Sequence, residues 1–349
     1  MAKKRTTLPK EFEELLSKST FQELKDFFNK CDVNARGGYG KQTALAYDNC
    51  PHVLAKWLVE QGADLQAKDT WGNTPLHIRS RSTFGNIKSL LELGADVHHK
   101  NNSTDTPLHA AADAHNIENT KLLLEYGAKI DLLNKYGYTP FEQALRTCRN
   151  IDIVKTVELS RIYFNAGVQT TSGMKELVAE IGKQFEFHKP NFNKDSVVEV
   201  SEALEELYKI FGVEPIARRV LHDGRSPITT SAKTWQIQHQ DLWDLLVPSS
   251  GPAETIQGEV IRITGRIANE LDGNGGINWD EDYKKMADKL LSLIKHGKQF
   301  PSSELIEIEE IVKEIKKKSG NTDRLCELGV KWVIENPSPL KLSAVEYKR

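Results

Sequence analysis

Apolar positions in the first 168 residues fall in short blocks at helical spacing, separated by Gly, Asn, Asp and Thr-Pro breaks. Phe12, Leu15, Leu16, Leu24, Phe27 and Phe28 set the first block and predict helix between residues 11 and 29. The clearest block runs from Asn101 to Leu133. There Thr106-Pro107 predicts a helix start, with a hydroxyl at the cap and a ring whose φ already suits the first turn. Leu108, Ala111 and Ala112 make a short helix whose small side chains admit a close neighbour; Ile117, Leu122, Leu123 and Leu124 make a second, and Gly127 stands where a left-handed C-cap is wanted. Beyond residue 173 the blocks lengthen. Met174, Leu177, Val178, Ile181 and Phe185 predict one helix, and Val197, Val200, Leu204, Leu207, Tyr208 and Phe211 the next. Residues 213–234 are irregular, broken by Pro215, Gly224 and Pro227. Four more helices follow, over Trp235–Val247, Pro252–Leu271, the Trp279-to-Ile294 stripe and Glu304–Lys318, and a last one over Asp323–Glu335. No stretch of the second half alternates with the period of a strand.

A helix pair of this kind cannot bury its apolar faces alone and needs copies beside it. The copies are legible. Thr-Pro-Leu-His occurs at Thr74–His77 and Thr106–His109, a weaker Thr-Pro-Phe-Glu at Thr139–Glu142, and a degenerate Thr-Ala-Leu-Ala at Thr43–Ala46, giving steps of 31, 32 and 33 residues. Gly-Ala recurs at Gly62, Gly94 and Gly127 with steps of 32 and 33. Motif and period together resemble the ankyrin repeat. That resemblance implies a stack of helix pairs with β-hairpin fingers, used to bind other proteins. The expected fold is all-α: an ankyrin-repeat solenoid of about five units over residues 10–168, its first unit a degenerate cap, then an α-helical domain over 169–349, with residues 1–9 a flexible arm. The C-terminal half resembles uncharacterised bacterial proteins, a likeness that carries no activity with it.

Three units depart from the pattern. The Thr43 unit spans 19 residues from Thr43 to Gly62, against 21 from Thr106 to Gly127, and Pro51 should start its second helix. Arg79-Ser80 stands where the repeat prefers two alanines, and the expectation is a local distortion relieved by Arg79 reaching solvent. The Thr139 unit carries about seven extra residues, so a longer outer helix with Ile153, Val154, Val157, Tyr163 and Phe164 should form a wall on which more chain can rest.

Composition narrows the chemistry. The chain has 349 residues, 39% apolar and 28% charged, and a net charge of −2, which argues against a nucleic-acid partner. No apolar run approaches the length of a membrane span, and Met1–Lys10 lacks the apolar segment of a signal peptide, so a cytoplasmic location is expected. Cys31, Cys50, Cys148 and Cys326 lack metal-ligand spacing, and the adjacent His98-His99 make a poor chelating pair. Asp272-Gly273-Asn274-Gly275-Gly276 opens like a calcium loop, but Gly276, Ile277 and Tyr283 occupy positions that need a ligand, a sharp-turn glycine and a final carboxylate. No cofactor or metal site is expected. The polar run Glu254, Gln257, Glu259 and Arg262 is either a structural ion network against small residues or a polar pocket; no nucleophile–base pair accompanies it.

The ankyrin resemblance implies contact positions at the finger tips and along the inner helices, facing a protein partner on the concave side. On this chain these are Trp71, Asn73, Asn102, Asp105, Tyr136 and Tyr138 at the tips, with Tyr39, Gln42, Thr70 and Lys135, and Arg81, Asp113 and Arg146 on the helices. Trp71 and Tyr136 sit in loops beside glycines, where a large ring has little to bury against; for Tyr138, folding down over the next finger is an equal alternative. The expected function is protein–protein interaction without chemistry of its own, in its most specific form a bacterial antagonist or toxin-neutralising protein. The rival is an enzyme or small-ligand-binding helical domain for which the repeats serve as a targeting arm, marked by a deep pocket near Glu254–Arg266.

Overall fold

A computed structural model describes residues 4–193 and 195–348, with the backbone alone for Asn191. The chain divides into two compact units, one of residues up to Phe185 with Asn193–Ile216, the other of Glu186–Phe192 with Ala217–Arg349.

The first unit opens with strand β1 (Arg5–Thr7), which pairs in parallel with β2 (Cys31–Gly37), itself antiparallel to the two-residue β3 (Gln42–Thr43). Leu8 is buried beside this sheet, so the segment read as a loose arm is held from Arg5 onward. The first predicted helical block is two helices, α1 (Phe12–Lys18) and α2 (Phe21–Lys30). Thr20 divides them: its hydroxyl accepts from the Glu23 amide while the Glu23 carboxylate accepts from the Thr20 amide, a reciprocal cap that starts a new helix. Phe12, Leu16, Leu24 and Phe28 point inward from the pair. The degenerate Thr43 unit forms only a single 3-10 turn over Ala44–Ala46 before α3 (His52–Glu60), which begins after Pro51 as expected.

Helix pairs then follow the repeat: α4 (Pro75–Arg81) with the short α5 (Lys88–Glu92), α6 (Pro107–Asp113) with α7 (Ile117–Glu125), and α8 (Pro140–Thr147) with the long α9 (Ile153–Asn165). The inner helices α4, α6 and α8 pack on one another in sequence. Gly62, Gly94, Gly127 and Gly167 close successive units with φ of +92°, +90°, +82° and +99°, a conformation an L side chain rarely adopts. Two further helices, α10 (Ser172–His188) and α11 (Val197–Phe211), follow, and α11 packs along α9. Residues 172–185 and 193–216 therefore lie with the repeats, whereas the sequence pattern placed the start of a second domain at residue 169.

Arg79 overturns its expectation. It is only 1% exposed; its guanidinium donates to the carbonyls of Cys50 (3.2 Å) and Asn86 (3.0 Å), and its own carbonyl accepts from Asn119 (3.1 Å). Arg79 is buried against the loop before α5, through the Asn86 carbonyl, and against the Cys50 carbonyl ahead of α3.

The second unit contains α12 (Trp235–Leu246), α13 (Ile256–Ala268), α14 (Glu281–Leu293), α15 (Ser302–Ile315) and α16 (Thr322–Glu335). Helix α13 is its centre. Nearly every residue of it is buried, including Gln257, Glu259 and Arg262, and it packs against α12, α14 and α16. A helix buried all round must satisfy its polar groups internally. Arg262 donates twice to the Glu259 carboxylate (Nε–Oε2 2.9 Å, Nη2–Oε1 2.7 Å), the Tyr347 hydroxyl donates to the same carboxylate, and Gln257 donates to the carbonyls of Asn336 (2.8 Å) and Ser338 (2.7 Å) while accepting from the Leu340 amide. Gln257, Glu259 and Arg262 thus form a structural network, while Glu254 stays exposed. At the end of α13 the chain widens into one π turn over Asn269–Gly273, and the buried Glu270 carboxylate accepts from the Asn278 amide (2.6 Å) and the Asn274 side chain (3.1 Å), ordering the loop read above as a failed calcium site.

Candidate interaction face of the repeat stack

Each finger is built by one side chain. The carboxylate of Asp69 accepts from the amides of Trp71 (2.8 Å) and Asn73 (2.7 Å); the Asn101 carbonyl oxygen does the same for Ser103 and Asp105, and that of Asn134 for Tyr136 and Tyr138. An Asp or Asn here stands in for a backbone acceptor and closes the turn. Fingers are then tied in series by backbone bonds, Thr70 N to Gly40 O (2.9 Å), Asn102 N to Trp71 O (3.1 Å) and Lys135 N to Ser103 O (3.0 Å). A side-chain ladder runs beside them: Asn101 donates to Asn73 (2.8 Å) and Asn134 to Asp105 (3.0 Å).

The motif histidines join each finger to its helix. In His77, Nδ1 accepts from the Thr74 amide (3.3 Å) and hydroxyl (2.8 Å), while Nε2 donates to the carbonyl of Asp105 in the next finger (2.9 Å). His109 repeats this with Thr106 and the carbonyl of Tyr138 (3.0 Å). Only the neutral Nε2–H ring satisfies both contacts, and burial pushes the His77 pKa down to about 4 and that of His109 down from its ordinary value. In the Thr139 unit Glu142 takes over the cap, its carboxylate accepting from the Thr139 amide (3.0 Å) and hydroxyl (2.9 Å). A carboxylate has no proton to donate onward, and among the described residues no further finger follows to receive one.

The fingers and inner helices enclose a groove of about 650 Å³. Trp71, Asn73, Arg81, Asn102, Asp105 and Asp113 of the sequence-derived set line it; Tyr136, Tyr138 and Arg146 lie outside its lining. Trp71 is 50% exposed and leans over Gly40, where a Cβ would sit 2.8 Å from the indole; the ring of Tyr39, 94% exposed, lies 5.7 Å away. Tyr136 is 65% exposed with the Lys135 ammonium 4.9 Å from its ring. Tyr138 is half-buried, with the Arg146 guanidinium of α8 over its ring at 4.3 Å. Asn73 and Asp105 hold the side-chain ladder, and Asn102 closes over Gly72. On the floor, Arg81 donates to Asp113 (2.9 Å), which also accepts from Gln143 (2.9 Å), so three successive inner helices are bridged through one carboxylate. An exposed ion pair is worth about 0–1 kcal/mol, so these groups can exchange partners at little cost.

Ile78, Ala110 and Gln143 also line the groove. They stand four residues beyond Thr74, Thr106 and Thr139, one turn before the seventh-position residues Arg81, Asp113 and Arg146 and on the same face. That i, i+3 relation was the signal available in the sequence.

Residues 43–130 and 81–161 match the family model described as Ankyrin repeats (3 copies). A Rickettsia felis protein described as an ankyrin repeat protein is 37% identical over 98 residues, 28% of this chain and 30% of that protein. The match therefore spans less than a third of the relative's length. The repeats of the first unit are ankyrin repeats, a protein–protein interaction module, and no helix among the described residues is long and apolar enough to cross a membrane.

Proposed function

We propose that the ankyrin stack of this chain binds a protein partner along its concave groove, and that the chain acts by occupancy rather than by chemistry. In its most specific form the reading is of a bacterial antagonist, such as a toxin-neutralising protein, that blocks a partner's surface. The relative supports only the bacterial part of that form, since its description names ankyrin repeats and no target. The observation that carries the general reading is the exposed aromatic tip Trp71 on a groove whose floor holds exchangeable polar groups at Arg81, Asp113 and Gln143, with a second exposed ring, Tyr136, on the last finger outside the lining. Tryptophan, tyrosine and arginine dominate interface energetics because they bury large area at small entropic cost. Asn73, Asp105, Tyr138 and Arg146 contribute by holding the fingers that present those rings, and Asn102 by closing the neighbouring turn.

The test begins with affinity capture from the native host using the full chain and mass spectrometry to identify the partner. Trp71→Ala with Tyr136→Ala should then weaken binding by at least about 2 kcal/mol, roughly 30-fold, and leave the melting temperature nearly unchanged. Undiminished affinity in that double variant would move the binding surface off the stack.

A further inference from the structure

The second unit contains a cleft of about 560 Å³ that the interaction face does not account for. Helix α12 contributes His239, Gln240 and Trp243 to its lining, and the end of α13 contributes Gly265 and Ala268. Its volume lies in the range of sites for small organic molecules, about 300–1,000 Å³. Among the described residues lining it, Arg266 is the one side chain charged at neutral pH. It is already engaged within the chain, so the cleft sets no preference for a charged ligand.

Its aromatic walls are fixed from behind. Gly265 lets α12 close on α13, since a Cβ there would sit 2.6 Å from the Trp243 ring and 2.9 Å from that of His239. Phe187 and Trp243 have centroids 6.4 Å apart with planes inclined by 16°. Arg219 holds that pair: its guanidinium covers Phe187 at 4.3 Å and donates to the carbonyls of Trp243 (2.9 Å) and Asp244 (2.7 Å). His239 is held through one nitrogen. The Thr264 hydroxyl reaches the carbonyls of Val260 (3.0 Å) and Ile261 (3.1 Å), the donor geometry of a threonine inside a helix, so its oxygen accepts from the His239 Nε2–H (3.1 Å). A neutral imidazole protonated at Nε2 is an acceptor at Nδ1. That Nδ1 is neither paired to a described residue nor sealed in the core, and its ring lines the cleft. Burial pushes the His239 pKa down to about 4, outweighing the Ile261 carbonyl that acts to raise it, so Nδ1 keeps its lone pair at neutral pH.

We propose that this cleft is a binding site for a neutral, planar heteroaromatic molecule bearing a ring N–H, of the indole type. The flat body packs against Trp243, and its N–H donates to Nδ1 of His239. Aromatic walls favour a planar apolar body. A fixed acceptor among those walls selects a ligand that brings the proton, because an isostere without it leaves the lone pair unpaired and out of water.

Isothermal titration of the full chain at neutral pH tests this with indole as the probe. Benzofuran keeps the size and shape of indole and has an oxygen in place of the N–H. We expect saturable 1:1 binding of indole, with benzofuran weaker by about three- to tenfold, the net worth of one neutral hydrogen bond. His239→Phe keeps a flat ring and removes the acceptor, while Thr264 retains its helix carbonyls. It should bring indole down to the level of benzofuran and leave benzofuran unchanged, which separates a lost hydrogen bond from a lost fold. Ala268→Leu lengthens a side chain of the lining and should weaken both probes with the melting temperature nearly unchanged. The proposal is overturned by an absence of saturable indole binding, by equal affinity for the two probes, or by a His239→Phe loss that both share equally. Probes that both bind Ala268→Leu undiminished would place them outside the cleft and overturn it too. None of these results bears on the repeat stack, because Trp71 and Tyr136 are not part of this cleft.

Discussion

The third position of each finger turn demands a left-handed backbone. Gly72 and Gly137 meet it with φ of +79° and +80°, but the equivalent residue in the middle finger is Thr104, at φ +58°. A β-branched side chain is strained there, and the left-handed region costs an L-residue about 1–2 kcal/mol. Thr104→Gly removes that strain and adds back about 0.5–1 kcal/mol of unfolded-state entropy. The expected result is a net gain of about 0.5–1 kcal/mol, read as a higher denaturation midpoint; a loss would show that Thr104 holds its conformation through contacts worth more than the strain. The motif histidines give a second residue-scale prediction. The unfolded His77 ring titrates near its ordinary value, about 6.5, whereas in the fold its pKa lies at about 4. Between those values the unfolded chain binds more protons, so stability present at neutral pH is lost as pH falls through that window. The full interval corresponds to about 3 kcal/mol as an upper bound. His77→Gln keeps a capping acceptor at this position but cannot titrate. Urea midpoints at pH 7 and pH 4.5 should therefore converge more closely in the variant than in the natural chain; an unchanged difference would place the acid sensitivity elsewhere.

At the scale of elements, the pattern of apolar and polar positions located most of the helices, because each begins and ends on local chemistry. Thr-Pro starts and Gly stops need no distant partner to be read. Arg79 needed one. Whether a cation at an alanine position escapes to solvent depends on the carbonyls of Cys50 and Asn86 being placed to receive it. The polar run on α13 was ambiguous for the same reason, since the group that completes it, the Tyr347 hydroxyl, lies 88 residues from Glu259. Where the decisive partner is remote in sequence, periodicity leaves both readings open. The burial of Arg79 carries its own prediction. Arg79→Ala removes two donors from buried carbonyls and leaves a void, and should cost about 2–4 kcal/mol. A cost under about 0.5 kcal/mol, the usual size for a solvated surface residue, would show the side chain to be outside the stack.

At the scale of the molecule, periodicity could not say where the stack ends. A helix resting on the last repeat and a helix opening a new domain show the same apolar stripe, and Met174, Val178, Ile181 and Phe185 fit both. What distinguishes them is the wall formed by α9. Tyr163 is fully buried and stacks on Phe141 at 4.8 Å, and Phe211 of α11 lies 5.3 Å from Phe164 and 6.0 Å from Phe141. Leu204, Leu207, Tyr208 and Phe211 of α11 are all buried. Each contributes about 1.5–3 kcal/mol of transfer free energy as an upper bound, offset in part by the entropy of ordering two more helices. A chain ending at residue 168 keeps every repeat motif and loses all four side chains, exposing an aromatic face at its end. A chain ending at residue 216 keeps the seam. Expressed separately, the longer piece should melt cooperatively, and the shorter should melt at least about 5–10 °C lower, the shift for a net loss of about 2–3 kcal/mol in a domain of this size, or aggregate through the uncovered Phe141 and Phe164. A monomeric 168-residue piece melting as sharply and as high as the 216-residue one would mean that the repeats end the folding unit themselves and that α10 and α11 add nothing to it.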